Sequence, residues 1–197
     1  MPTSHDNIVN EKDKSRTALL LIDVINAMEF PGGEELYKKA LPVSERIRKL
    51  KKEAKGHGIP VIYVNDNFGK WQSDLPKILY SFIEENVKGR QIIEHLIPDK
   101  DDYIVIKPKH SGFYQTVLST LLDHLEIHTL IITGFAGDQC VMYTAQDGYM
   151  RDYRIHIPSD CTASESEKWN DMALKLMKKN LKADLTPSSE LRLADWK

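Results

Sequence analysis

The sequence predicts an α/β protein: a single domain built on a parallel sheet of about six strands, with helices on both faces. Three observations carry that expectation. Short apolar runs rich in β-branched residues (TALLLI, IPVIYV, YIVI, HTLIIT) recur along the chain. Amphipathic stretches with apolar residues at helical spacing separate them. The runs are apolar on both alternating faces, as strands buried between two helical layers must be. At 197 residues the chain fits one domain, on a prior of roughly 150 residues each.

The elements follow in order. The first sixteen residues, MPTSHDNIVNEKDKSR, are polar and charged and read as a solvated arm, not a signal peptide or anchor, leaving 17–197 as the domain. Residues 17–22 form a buried strand ending at Asp23. Val43, Ile47, Leu50 and Ala54 mark a helix that stops at Gly56 and Gly58, where left-handed backbone is cheap. Residues 59–64 make a second strand, 65–75 a loop of polar and aromatic residues, and 77–96 a mostly helical stretch. Residues 103–106 are a third strand ending at Lys107, because Pro108 cannot continue a central ladder. Val117, Leu118, Leu121, Leu122 and Leu125 mark the next helix. Residues 128–133 form a fourth strand leading into Gly134. A helix starting near Gln139 or Cys140 carries Tyr143, Thr144 and Asp147. Residues 154–157 are a fifth strand. Ser164 and Glu167 make a capping-box pattern before a helix with Trp169, Met172, Ala173 and Leu176, and 183–186 form a last short strand.

Composition removes several classes of function. Hydrophobic residues at 41% and charged residues at 28% are a globular balance. A net charge of -2 argues against a nucleic-acid binder, and no apolar run reaches the ~18 residues of a membrane span. Two cysteines, Cys140 and Cys161, make no disulfide framework, which suits a reducing cytoplasm.

In a parallel α/β sheet the working site lies beyond the carboxyl ends of the strands. Asp23 ends the first strand, Lys107 follows the third, and the fourth runs through a glycine turn to Cys140. A carboxylate, an ammonium and a thiol there are the parts of an acyl-transfer site. A helix N-terminus and Lys107 would favour the thiolate, Asp23 would move the thiol proton, and backbone N–H groups of the turn would hold an oxyanion. Each residue alone has a plainer reading: a buried cysteine, a capping aspartate, a solvated lysine. Cys161, with no base near it in sequence, reads as structural.

LLLIDVINAM with Asp23, IKPKHSGF with Lys107, and TGFAGDQCVMYTA with Cys140 resemble the three motifs of the isochorismatase-like cysteine hydrolase superfamily, which includes nicotinamidases and N-carbamoyl-amide hydrolases. The resemblance runs from Thr17 to about Leu191. It implies a Cys140–Asp23–Lys107 triad and a sheet order of 3-2-1-4-5-6. It also implies a cis peptide between Phe135 and Ala136, an oxyanion hole from the N–H groups of Ala136 and Cys140, and a homodimer or homotetramer. Cleavage of a C–N bond (amide, ureido or carbamoyl) in a small molecule, through a thioester, is the implied activity. Two alternatives stand beside it: a vinyl-ether hydrolase using Asp23 as acid with Cys140 a spectator, and an inactive binding subunit of the same fold. Neither nucleic acid nor membrane is an expected partner.

Two departures from the family pattern matter. Gly137 stands where many relatives have Thr, which predicts a looser turn. Metal-dependent nicotinamidases follow an Asp with His ligands in the loop after the second strand. Here that loop has Asp66 and no His, so no catalytic metal or other cofactor is expected. The seven histidines show no ligand spacing, and His110, nearest the chemistry in sequence, reads as solvent-facing or backbone-bonded. Phe30, Phe68, Trp71, Phe113 and Tyr143 are candidate pocket walls. For each but Trp71, which stands in a polar loop, core or interface packing is the plainer reading.

Overall fold

The computed structural model describes residues 15–69 and 75–196. The arm expected over 1–16 therefore lies outside the described residues, save its last two. Ser15 is buried and its hydroxyl donates to the carbonyl of Trp196 at 2.5 Å.

Five parallel strands carry the sheet: β1 (Thr17–Ile22), β2 (Val61–Asp66), β3 (Tyr103–Lys107), β4 (Thr129–Phe135) and β5 (Arg154–His156), in the order β3-β2-β1-β4-β5. A two-residue strand β6 (Thr162–Ala163) pairs with the end of β4, through Gly134↔Thr162 and Phe135↔Ala163. The stretch expected as a last strand, 183–186, contributes a single parallel bridge, His156↔Asp184, beside β5. Chain order reverses between β1 and β4, the place where an α/β sheet opens a crevice at its carboxyl edge.

Alternation along β1 sorts the core into two layers. Leu19 and Leu21 face α1 (Gly33–Gly56), α2 (Leu75–Glu84) and α3 (Arg90–His95), through Leu36, Ile47, Ile78, Phe82 and Ile92. Ala18, Leu20 and Ile22 face α4 (Leu118–His124), α5 (Met142–Tyr149) and α6 (Glu167–Leu181), through Leu122, Ala145, Leu174 and Met177. Each fully buried aliphatic side chain contributes about 1.5–3 kcal/mol.

Two boundaries differ from the pattern-based expectation, and both bear on the site. β2 starts at Val61 because Pro60 has no N–H to give the ladder, and it runs on to Asp66. That extension pairs Asp66 with Lys107 of β3, so Asp66 belongs to the sheet edge and not to the loop. The N-cap of α6 is Ser166, whose side chain accepts from the N–H of Trp169, while Ser164 is turned elsewhere.

Candidate active site

Asp23 follows β1 with φ 51, and its N–H stays bonded to the carbonyl of Val64 at 3.0 Å. The chain thus turns out of the sheet while still anchored to β2. Asn65, fully buried, fixes the next residues by accepting from the N–H of Ile25 and donating to its carbonyl, each at 3.0 Å. The Asp23 carboxylate accepts the N–H of Asp66 at 2.7 Å and faces Lys107 Nζ at 2.8 Å.

Lys107 is fully buried. Its ammonium also donates to the carbonyl of Lys109 at 3.0 Å, lies 3.5 Å from Cys140 Sγ, and lies 3.6 Å from the Asp66 carboxylate. Asp23 in turn is close enough to the Cys140 thiol for each to influence the other's ionisation. The carboxylate, ammonium and thiol therefore form one contiguous group at the β1/β4 crevice.

Cys140 stands in a π-helical turn (Gly137–Val141) that leads into α5. Gly134 feeds this turn at φ 118, a conformation that side-chain-bearing residues rarely adopt, and a Cβ there would lie 2.1 Å from the carbonyl oxygen of Ile22. The Phe135–Ala136 peptide is cis. The N–H groups of Gln139 and Val141 both return to the carbonyl of Ala136, at 3.2 and 3.1 Å.

The turn is not loose. A Cβ on Gly137 would fall 2.0 Å from Asn170 Oδ1 of α6. That amide is held by the hydroxyl of Ser164 at 3.1 Å, which itself accepts the N–H of Asp138 at 3.1 Å. The volume a larger residue would fill belongs to a side chain from another helix.

Burial, then the Asp23 carboxylate, push the Cys140 thiol up, despite Lys107. The low dielectric outweighs the cation that was expected to favour the thiolate. Burial likewise raises Asp23 above the usual carboxylate range, against Lys107. For Lys107 burial opposes the charge, but Asp23 and then Cys140 more than offset it, and the ammonium is held above its ordinary value. Burial and Asp23 thus favour the neutral thiol, and Asp23 favours the charged lysine.

Of the aromatic residues, Tyr143 stands beside the sulfur through His110, stacked on it at 5.5 Å between ring centroids. Phe68 is half-buried and meets Phe82 edge-on at 5.7 Å. Phe113 is a correction: it is buried in the core, stacked with Tyr153 and capped by Arg151, because Gly112 is tethered to α5 and turns it inward. Phe30 is exposed, and no contact with the triad is found for it among the described residues. Trp71 lies outside the described residues.

His110 is exposed, as expected, and its Nδ1 also lies 3.6 Å from Cys140 Sγ. Its place three residues after Lys107 was the signal in the sequence. Asn65, Ser164 and Asn170 were missed; a buried Asn at the end of an apolar strand was the one visible hint.

A metal of the nicotinamidase kind does not fit Asp66. One oxygen accepts the N–H of Phe68 at 2.6 Å, the other faces Lys107, and no imidazole joins it among the described residues. The three carboxylates that do cluster, Asp99, Asp101 and Asp102, are filled by the ammonium groups of Lys51 and Lys55.

Comparison with known proteins places the sequence and the fold. The Isochorismatase domain model matches residues 17–189. An uncharacterized isochorismatase-family protein of Bacillus subtilis is 44% identical over 178 residues, covering 90% of this chain and 97% of that one. Ureidoacrylate amidohydrolase of Methylorubrum extorquens is 28% identical over 178 residues, 76% of this chain and 71% of its own. The N-carbamoylsarcosine amidase of Thermoplasma acidophilum superposes with a TM-score of 0.67 at 26% identity, covering 89% of this chain and 98% of that one. With its sheet order, its three motifs and a match over nearly the whole described length, the chain belongs to the isochorismatase family of hydrolases.

Proposed function

We propose that the protein is a cysteine hydrolase that cleaves a C–N bond (amide, ureido or carbamoyl) of a small molecule through a thioester on Cys140. The observation that carries this reading is the contiguity of Asp23, Lys107 and Cys140, at 2.8 Å and 3.5 Å from the shared ammonium. The names of the amidohydrolase and amidase relatives support it.

The neutral thiol needs a base at the moment of attack, and Asp23 is that base. Moving the proton from sulfur to carboxylate shifts the negative charge from one neighbour of Lys107 to another. The charge stays beside the same cation, so the Coulomb cost of the shift is small even in low dielectric. The sulfur then bonds to the substrate carbonyl carbon, and the oxyanion is received by the N–H groups of Ala136 and Cys140. Collapse breaks the C–N bond, and the proton held by Asp23 goes to the leaving nitrogen. Water then releases the acyl group. In this reading the substrate is a small molecule, the protein works in the cytoplasm, and the assembly is a homodimer or homotetramer.

The test is a screen of small amides, ureas and N-carbamoyl acids, reading ammonia release with wild type and Cys140→Ala together. Turnover and covalent labelling are expected to vanish in the variant while its circular dichroism is unchanged. Turnover of a vinyl ether that survives in full in Cys140→Ser, with no acyl adduct, would instead assign the vinyl-ether chemistry, with Asp23 as acid.

A further inference from the structure

We propose that His110 is a catalytic residue of the second half-reaction, taking the proton of the deacylating water and returning it to the Cys140 sulfur. The inference rests on the thioester reading above and deepens it.

The sulfur has two kinds of neighbour. On the buried side stand Asp23 and Lys107. Asp23 accepts the N–H of Asp66 at 2.7 Å, faces Lys107 at 2.8 Å, and serves the first half-reaction as carrier of the thiol proton. Lys107 is fully enclosed and has no lone pair to offer while charged. On the solvent side stands His110, exposed, with Nδ1 at 3.6 Å from Sγ. Water that attacks the thioester arrives from solvent, and the proton-accepting group on that side is the imidazole.

The position of the ring is fixed and not incidental. His110 stacks on Tyr143 with 23° between ring planes. The loop that carries it is fastened to α5 at two points. Ser111 donates a short hydrogen bond to Asp147, and the N–H of Gly112 bonds to the Thr144 hydroxyl at 3.0 Å. That same hydroxyl donates to the carbonyl of Cys140 at 2.7 Å. One side chain thus ties the histidine loop to the nucleophile's own backbone, which holds imidazole and sulfur in register.

The step balances as follows. Water oxygen bonds to the acyl carbon, and one water proton passes to the neutral imidazole. The C–S bond breaks and its electron pair stays on sulfur as thiolate. The imidazolium then gives its proton to sulfur, restoring thiol and neutral His110, and the product leaves as a carboxylic acid. No other reactant is required. A positioned general base of this kind contributes roughly 10²–10⁴-fold.

p-Nitrophenyl acetate separates the two halves, because its leaving group needs no proton from the protein. Wild type, His110→Gln and His110→Ala are mixed with it, nitrophenol release is followed in the first turnover, and decay of acetyl-Cys140 is followed by intact mass. Acetylation at the wild-type rate with decay slowed about 10²-fold is expected in both variants. Added imidazole should speed the decay of isolated acetyl-enzyme in His110→Ala. Decay within twofold of wild type, or both phases slowed by one factor as a packing defect would give, overturns the role. A wild type that carries no acetyl group on Cys140 overturns the thioester reading itself, and this inference with it.

Discussion

Removing Lys107 alone and removing it together with Asp23 test different things. Lys107→Met leaves the Asp23 carboxylate buried with no cation at 2.8 Å, and loss of one partner from a buried pair costs about 3–5 kcal/mol. Urea denaturation of that variant should show a loss of this size. The double variant Asp23→Asn/Lys107→Met removes both charges and should regain most of it, while the proposed mechanism has amide turnover abolished in both. If the double variant is no more stable than the single, the pair is not an isolated buried couple. In the proposed mechanism the same burial sets an acid limit on the acylation step. Asp23 accepts a proton only when ionised, and burial raises it. Activity should therefore fall, on acidification, through a pH above the ordinary carboxylate value of about 3.9.

At the level of elements, the nucleophile turn depends on a helix distant in sequence. Gly137→Thr would drive a side chain into Asn170 Oδ1, so that variant should lose both stability and Cys140 labelling. Pairing it with Asn170→Gly frees the volume and should restore labelling by an electrophile such as iodoacetamide. Failure of the pair to recover would mean the turn is set elsewhere. None of this was legible in the sequence, where Ser164 reads as a helix cap and Gly137 as slack. The strands were legible: Thr17–Ile22 stands where the apolar run places it, and the ends of β3 and β4 deliver Lys107 and the glycine turn as expected. Local periodicity reports which face is buried. It does not report which polar side chains meet across elements, so Asn65, Asn170 and the approach of His110 to sulfur needed coordinates. β6 was invisible for a similar reason: two residues carry no period, and Thr162–Ala163 is a strand only because β4 is there to pair with it.

For the whole molecule, pH acts on stability through groups outside the site as well as through Asp23. Burial holds the His156 imidazole below its usual value, with Asp184 opposing. The unfolded chain therefore takes up a proton first, and stability is lost as pH falls below about 6.5. Hydrogen bonds from Lys55 depress Asp99 and Asp101, and those from Thr186 depress Asp184. Their contribution is present above the ordinary carboxylate range and is lost as pH falls through their depressed values. Asp23, raised by burial, works with the opposite sign and offsets part of this. Thermal scans should show Tm falling in two stages, near pH 6 and again below pH 4. His156→Asn should remove the first stage alone. An unchanged profile in that variant would assign the first stage to another group.

The enclosure of Lys107 has one more outcome. In the proposed mechanism the amine that lies 3.5 Å from the free sulfur would be placed for an S-to-N migration once the sulfur is acylated, ending in a permanent amide. Migration requires a free nitrogen lone pair. The Asp23 carboxylate at 2.8 Å favours the protonated amine, so under that mechanism the ion pair also guards Lys107 against the loss.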